Sequence, residues 1–235
     1  MARKKSKESW KVYKNVFDEF TLRTLFRLES QGFFSGLTSA YRLGKEANIF
    51  IADNEEKDVI VKIYRLENCN FNKMHSYLSQ DERYHDLKGQ KRKIVFSWVQ
   101  REYRNLLIAR EAIRVPTPLA IRDNVLVLEM IGKDGPAPEL KDARPKNPEQ
   151  FLDKILLMVK RLKDHGLVHG DLSAFNILNH EEEPVFIDFS QATTTKSSGW
   201  EDLLRRDVEN VLNHFKKLGI ERDSAAILEG LHDND

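Results

Sequence analysis

The chain has 235 residues, 40% of them hydrophobic, and 38 Lys and Arg against 37 Asp and Glu leave a formal charge of +1. Such a composition belongs to a globular protein of one or two domains, and it excludes a polycation that grips nucleic acid through its overall field. Cys69 is the only cysteine, which excludes an intramolecular disulfide or a multi-cysteine zinc site and suits a reducing, intracellular setting.

In chain order, residues 1–16 read as a charged N-terminal tail. Residues 15–34 carry Phe17, Phe20, Leu25 and Leu28 at helical spacing, which predicts an amphipathic helix ending at Gly32. Residues 41–52 and 58–64 read as two strands joined by the polar turn Asp53-Asn54-Glu55-Glu56. The second, Val59-Ile60-Val61-Lys62-Ile63-Tyr64, sets a single lysine among β-branched residues. Residues 66–93 show no clear period, end in the basic run Lys88-Gly89-Gln90-Lys91-Arg92-Lys93, and are expected to form a long flexible loop.

A helix is expected over roughly residues 94–110, then a break at Pro116 and Pro118, then a strand over residues 124–131. Residues 132–148, rich in Gly, Pro and charge, look like a connection between two lobes. Asn147 and Pro148 are fitting N-cap and first-turn residues for a helix whose stripe is Phe151, Ile155, Val159 and Leu162. The loop around His169-Gly170-Asp171, the strand Val185-Phe186-Ile187 and a last helix with Val208, Val211, Leu212 and Phe215 on one side complete the chain. The expected organisation is an N-terminal lobe over residues 17–131 and a hinge with a C-terminal lobe over residues 132–235. No run approaches the length of a signal peptide or membrane span, so a cytoplasmic protein without a membrane partner is expected.

The central signal is His169-Gly170-Asp171-Leu172-Ser173-Ala174-Phe175-Asn176, followed by Ile187-Asp188-Phe189. A lone Asp in a loop usually caps a turn. Here an Asp and an Asn stand at kinase catalytic-loop spacing ahead of a second Asp, each part bounded by an apolar segment. Phosphoryl transfer needs positioning and charge neutralisation more than covalent chemistry, and oxygen ligands on short loops suit magnesium. Asp171 is therefore assigned as the base or acceptor-orienting residue, and Asn176 and Asp188 as metal ligands. Upstream, Lys62 has the strand setting of a lysine that contacts the α- and β-phosphates, and Glu102 on the following helix is its natural ion-pair partner. Between the first strands, Leu43-Gly44-Lys45-Glu46-Ala47-Asn48 is the candidate phosphate loop, although its single glycine departs from G-x-G-x-x-G.

With these residues in view, the sequence resembles the RIO family of atypical serine/threonine protein kinases, and within it the Rio-one branch. Gly44 to Asn48 is similar to that family's short nucleotide loop, and Arg101-Glu102-Tyr103-Arg104-Asn105-Leu106 to its helix C. Residues 125–142, including Glu129 and Ile131, resemble its hinge, and Asp188-Phe189-Ser190-Gln191-Ala192 resembles its metal loop. The resemblance spans about residues 17–220. It implies an α+β, two-lobed kinase-like fold that is compact and lacks the activation loop and the C-terminal peptide-docking helices. It also implies ATP held by Gly44, Lys45, Glu46, Lys62, Glu102, Glu129 and Ile131, with Mg2+ or Mn2+ on Asn176 and Asp188.

The resemblance further implies a protein kinase with ATPase turnover that acts in maturation of the small ribosomal subunit, as a monomer or weak dimer. Its partners would be the subunit precursor and its RNA, with Lys88, Lys91, Arg92 and Lys93 as the RNA contact. An aspartyl-phosphate at the metal-loop position, here Asp188, is also implied, and Ser76, Ser79 and Ser97 are candidate autophosphorylation sites. The chain departs from the pattern at Tyr41-Arg42-Leu43, where the branch has a Ser-Thr pair. Aminoglycoside- or choline-type phosphotransferases share the central motif but need a larger C-terminal lobe. A compact tRNA-modification-complex kinase reads differently at the glycine and metal loops, and a non-catalytic ribosome-binding scaffold sits poorly with four intact catalytic positions.

Overall fold

Alternation of buried and half-buried residues from Ala47 to Asp53, and β-branched residues from Val59 to Tyr64, build the middle of an antiparallel sheet. The computed structural model describes residues 17–55, 57–67, 69–79, 87 and 89–232, and the charged N-terminal tail lies outside them. Strands β1 (Gly36–Leu43), β2 (Ala47–Asp53), β3 (Val59–Tyr64), β4 (Pro118–Arg122) and β5 (Val125–Glu129) form one five-stranded sheet in the order β1-β2-β3-β5-β4. The two-residue period sorts β3 cleanly. Val59, Val61 and Ile63 pack with Leu25 and Leu28 of helix α1 (Glu19–Ser30), whereas Tyr64 joins the core that contains Leu106 of helix α3 (Lys91–Ala112). Lys62 lies on the α3 face.

Asp18 caps α1 by accepting from the Thr21 amide at 3.0 Å, and the helix ends before Gly32, as the sequence predicts. Asn124, in the turn between β4 and β5, is fully buried and donates to Thr21 Oγ1 at 3.0 Å and to the Tyr64 carbonyl at 2.8 Å. It thereby fixes α1 to the end of β3.

Beyond the sheet, residue 132 turns the chain toward the C-terminal lobe. Gly132 has φ 136, and a Cβ there would overlap the Gly135 carbonyl, so the tight hinge requires glycine. Helix α4 (Pro148–Asp164) starts at Asn147, which accepts from the Gln150 amide at 3.2 Å, with Pro148 in its first turn. Two short antiparallel pairs follow, β6 (Leu167–Val168) with β9 (Thr193–Thr194) and β7 (Ile177–His180) with β8 (Glu183–Phe186). The amphipathic α5 (Trp200–Lys216) and the short α6 (Ser224–His232) complete a two-lobed, kinase-like fold. Only residues 195–199 separate β9 from α5, so no activation loop intervenes. Among the described residues no helix is long and apolar enough to cross a membrane.

The structure corrects the sequence reading in the segment 66–93. Its described part is not one long loop: it contains helix α2 (Phe71–Leu78), capped by Asn70, and the first turn of α3. Ser76 and Ser79 sit exposed on and beside α2, Ser97 is half-buried on α3, and Lys88 lies outside the described residues.

The Asn124 link carries a prediction about stability. Asn124→Ala would leave the buried Tyr64 carbonyl without that donor and should lower unfolding stability by about 1–3 kcal/mol. Urea denaturation of parent and variant measures it, and a loss below about 0.5 kcal/mol would show that water replaces the amide.

Candidate active site

The cleft between the lobes is lined by apolar side chains above and below, Ile49, Ile60 and Leu128 from the sheet and Leu178 and Ile187 from the C-terminal lobe. The space between these walls, open mouth included, is about 770 Å³. At its inner end Lys62, 6% exposed, holds Glu102 Oε1 at 2.8 Å and Asp188 Oδ1 at 3.1 Å. Burial alone would lower the Lys62 pKa, but Asp188 and Glu102 outweigh it and hold the ammonium above its ordinary range. The Tyr64 hydroxyl donates to the other oxygen of Glu102.

Asp188 adopts a left-handed backbone, φ 62 and ψ 70, at the entry to the 3-10 turn Phe189–Gln191. Ser190 Oγ donates to its Oδ1 at 2.8 Å. Burial opposes ionisation of Asp188, but the Lys62 charge and the Ser190 bond overcome it and depress its pKa. Its side chain retains 37% exposure, so it remains reachable from the cleft.

The catalytic-loop residues meet it from the other side. Asn176 Nδ2 donates to the Asp171 carbonyl at 2.7 Å, which leaves the amide oxygen as the available ligand atom. Gln191 Nε2 donates to Asp171 Oδ2 at 2.9 Å. Burial, with the charge of Asp188 added, pushes the Asp171 pKa up. Behind the loop, Asp207 of α5 accepts from the amides of Gly170 at 2.7 Å and Leu172 at 2.8 Å, and Arg206 donates to the Gly170 carbonyl. Gly170 has φ 76, and a Cβ there would press on the Gln191 carbonyl at 3.0 Å.

Among the other expected site residues, Lys62, Glu102, Glu129, Ile131, Asn176 and Asp188 line the cleft, whereas Gly44, Lys45 and Glu46 form the β1–β2 turn outside its wall. Gly44 donates its amide to the Ala47 carbonyl at 3.0 Å and closes that turn. The Glu129 carboxylate is bound by Arg114 at 2.6 and 2.9 Å and by the Thr117 amide at 3.1 Å. Burial opposes this, but the Arg114 and Thr117 hydrogen bonds hold its pKa at about 2. The Glu129 carboxylate is thus committed to Arg114 and Thr117.

The sequence reading quotes Arg101, Asn105 and Gln191 only within motifs, with no role for any of them, and passes over Asp207. Arg101 donates to the Tyr77 and Ala192 carbonyls at 3.0 Å each, and Asn105 to the Phe189 and Ala192 carbonyls at 2.9 Å each. These bonds tie α3 to the metal loop. The available signal was polar residues on helix faces that are otherwise apolar: Arg101 and Asn105 one turn apart beside Val99 and Leu106, and Asp207 beside Leu204 and Val208.

A family model described as the RIO domain matches residues 48–227. "RIO-type serine/threonine-protein kinase Rio1" of Haloferax volcanii is 38% identical over 230 residues, covering 97% of this chain and 79% of that protein. The protein of the same name from Methanocaldococcus jannaschii is 41% identical over 212 residues, covering 89% and 73%. A solved structure of Rio2 kinase from Chaetomium thermophilum, in an ADP/Mg2+-phosphoaspartate complex, superposes with a TM-score of 0.71 at 21% identity. That superposition covers 91% of this chain and 67% of the other.

The Gln191 contact generates a prediction with a defined sign. Its N–H stabilises the ionised form of Asp171, so Gln191→Ala should raise the Asp171 pKa further. Carboxyl carbon NMR across pH 3 to 8 reads this directly, and an unchanged or lower pKa would dismiss Gln191 as a positioning residue.

Proposed function

The chain belongs to the RIO family and is a serine/threonine protein kinase of its Rio1 branch, and from that premise we propose that its cleft binds ATP with a divalent cation and turns it over as both kinase and ATPase. The observation that carries this reading is the Lys62 ammonium held between Glu102 at 2.8 Å and Asp188 at 3.1 Å. It places a rigid cation at the inner end of an apolar slot, where the phosphates of a nucleotide stacked between Ile60 and Leu178 would arrive.

The donor set fits Mg2+ or Mn2+: one partly exposed carboxylate on Asp188 and one amide oxygen on Asn176, hard ligands that leave room for water and phosphate. Such an ion, when bound, neutralises phosphate charge. Asp171 orients the acceptor oxygen; a carboxylate acceptor has no proton to give up, but where that oxygen belongs to water or a hydroxyl, Asp171 takes its proton as it attacks the γ-phosphorus and the bond to ADP breaks. Gln191 and Asn176 hold Asp171 in place for this. Water, a serine or the Asp188 carboxylate are the acceptors proposed. For the last, the phosphoaspartate of the Rio2 complex is the motive.

Steady-state ADP release with and without magnesium tests this. Asp188→Ala should reduce metal-dependent turnover at least tenfold, about 1.4 kcal/mol, with the fold intact by circular dichroism. Turnover within about threefold of the parent would remove Asp188 from the site.

We further propose a role in maturation of the small ribosomal subunit, in the cytoplasm, with Lys91, Arg92 and Lys93 contacting its RNA. All are exposed on the first turn of α3, where Lys91 lies over Phe71 at 5.3 Å and Arg92 over Phe20 at 5.5 Å. Replacing these residues by Ala should flatten the dependence of log affinity for small-subunit RNA on log salt by up to about two or three units, because each phosphate contact releases counterions. Identical slopes for parent and variant would mark the cluster as solvated surface.

A further inference from the structure

On β3, Lys62 and Tyr64 are two residues apart and so stand on the same face of the strand. Both reach Glu102 of α3. The Lys62 ammonium takes Oε1 at 2.8 Å, and the Tyr64 hydroxyl donates to Oε2. The Lys62 nitrogen also lies 5.1 Å from the centre of the Tyr64 ring. Tyr64 is 2% exposed and Glu102 is fully buried, so no solvent competes for these bonds. The Tyr64 main chain is itself held at both polar groups, its amide by the Asn124 carbonyl and its carbonyl by Asn124 Nδ2, each at 2.8 Å.

A carboxylate held at one oxygen can swing, because the last torsion of a glutamate is soft. Held at both oxygens, Glu102 has one orientation, and among the described residues Tyr64 is the donor that fixes the second. Burial, with the charge of Glu102 added, pushes the Tyr64 pKa well above its ordinary value, so the hydroxyl remains a donor. The other partner of Lys62, Asp188, is open to the cleft and on the ATP reading also serves a metal. That leaves Glu102 as the partner Lys62 does not share. We propose that Tyr64 is a positioning residue for phosphoryl transfer: by fixing Glu102 it holds the Lys62 ammonium at the inner end of the cleft, where the nucleotide phosphates bind.

The proposal rests on the ATP reading above, and the test separates the two. Calorimetric titration of the full chain with ATP plus Mg2+ and with adenosine compares a ligand that reaches Lys62 with one that lacks phosphates. Tyr64→Phe keeps the ring and removes the donor. It should weaken ATP about tenfold, the effect of one hydrogen bond to a charged group, and leave adenosine within about twofold of the parent. In a Glu102→Gln background the same substitution should change ATP affinity by less than about twofold, because the charge it positions is gone. A merely structural tyrosine would give equal losses for ATP and adenosine, loss of folding included, and that result overturns the proposal. Parent-like ATP affinity in Tyr64→Phe overturns it as well, as does an undiminished effect beside Glu102→Gln. In each of these cases saturable ATP binding by the parent leaves the ATP reading in place, whereas no ATP binding by the parent removes both.

Discussion

A single buried cation organises this molecule. Withdrawing an ammonium from water costs several kcal/mol unless its charge is met in place, and removing one partner of a buried pair costs about 3–5 kcal/mol. Lys62 is met by carboxylates from two other parts of the chain, Glu102 in α3 and Asp188 in the metal loop. Strand, helix and loop, separated by 40 and 86 residues from Glu102, are thus brought to one point. Asp188 accepts a left-handed backbone there, a conformation that costs on the order of 1–3 kcal/mol and persists only where its surroundings fix it.

Those surroundings come from both lobes. From α3, Arg101 and Asn105 hold the carbonyls of Phe189 and Ala192, at the start of the 3-10 turn and just past its end. From α5, Asp207 holds the amides of Gly170 and Leu172, on either side of Asp171. Each loop is gripped through its main chain by buried polar side chains of a helix, while the side chains of Asn176 and Asp188 line the cleft. The Gln191–Asp171 bond then joins the two loops to each other. A shift of α3 relative to the C-terminal lobe would move Lys62's partner and the metal loop together.

What was legible in the sequence follows from how strongly each residue type contradicts its setting. A lysine in a β-branched strand and two aspartates bounded by apolar runs stood out, and the family resemblance arose from them. Residues 41–52 read as one strand in the sequence because β1 is mostly exposed and shows no alternation, whereas they hold the end of β1, the turn at residues 44–46 and β2. Strand β4 was missed because its first residue is Pro118, which reads as a breaker but is tolerated on an edge strand. The start of α3 was set at Ile94 instead of Lys91 because a basic first turn carries no apolar period and offends the helix dipole. The contacts of Arg101, Asn105, Asp207 and Glu139 have no signal in the sequence because their partners are main-chain groups or, for Glu139, Arg42 far away in sequence.

The charge balance of the site carries one more step. The inner end of the cleft holds one buried cation against Glu102 and Asp188, both already spending their charge on it, so the cluster is net negative even before Asp171 is counted. A triphosphate brings several further negative charges to the same place. Two like-charged groups a few ångströms apart near a protein surface repel by about 4 kcal/mol at an effective dielectric of about 20. On the proposed reading, a divalent cation held by Asp188 would offset that charge. The same balance accounts for where the acidic residues lie: Glu102, which no cation needs to reach, is closed off on Lys62 and Tyr64, whereas Asp188 is bound on one oxygen and left open on its other side.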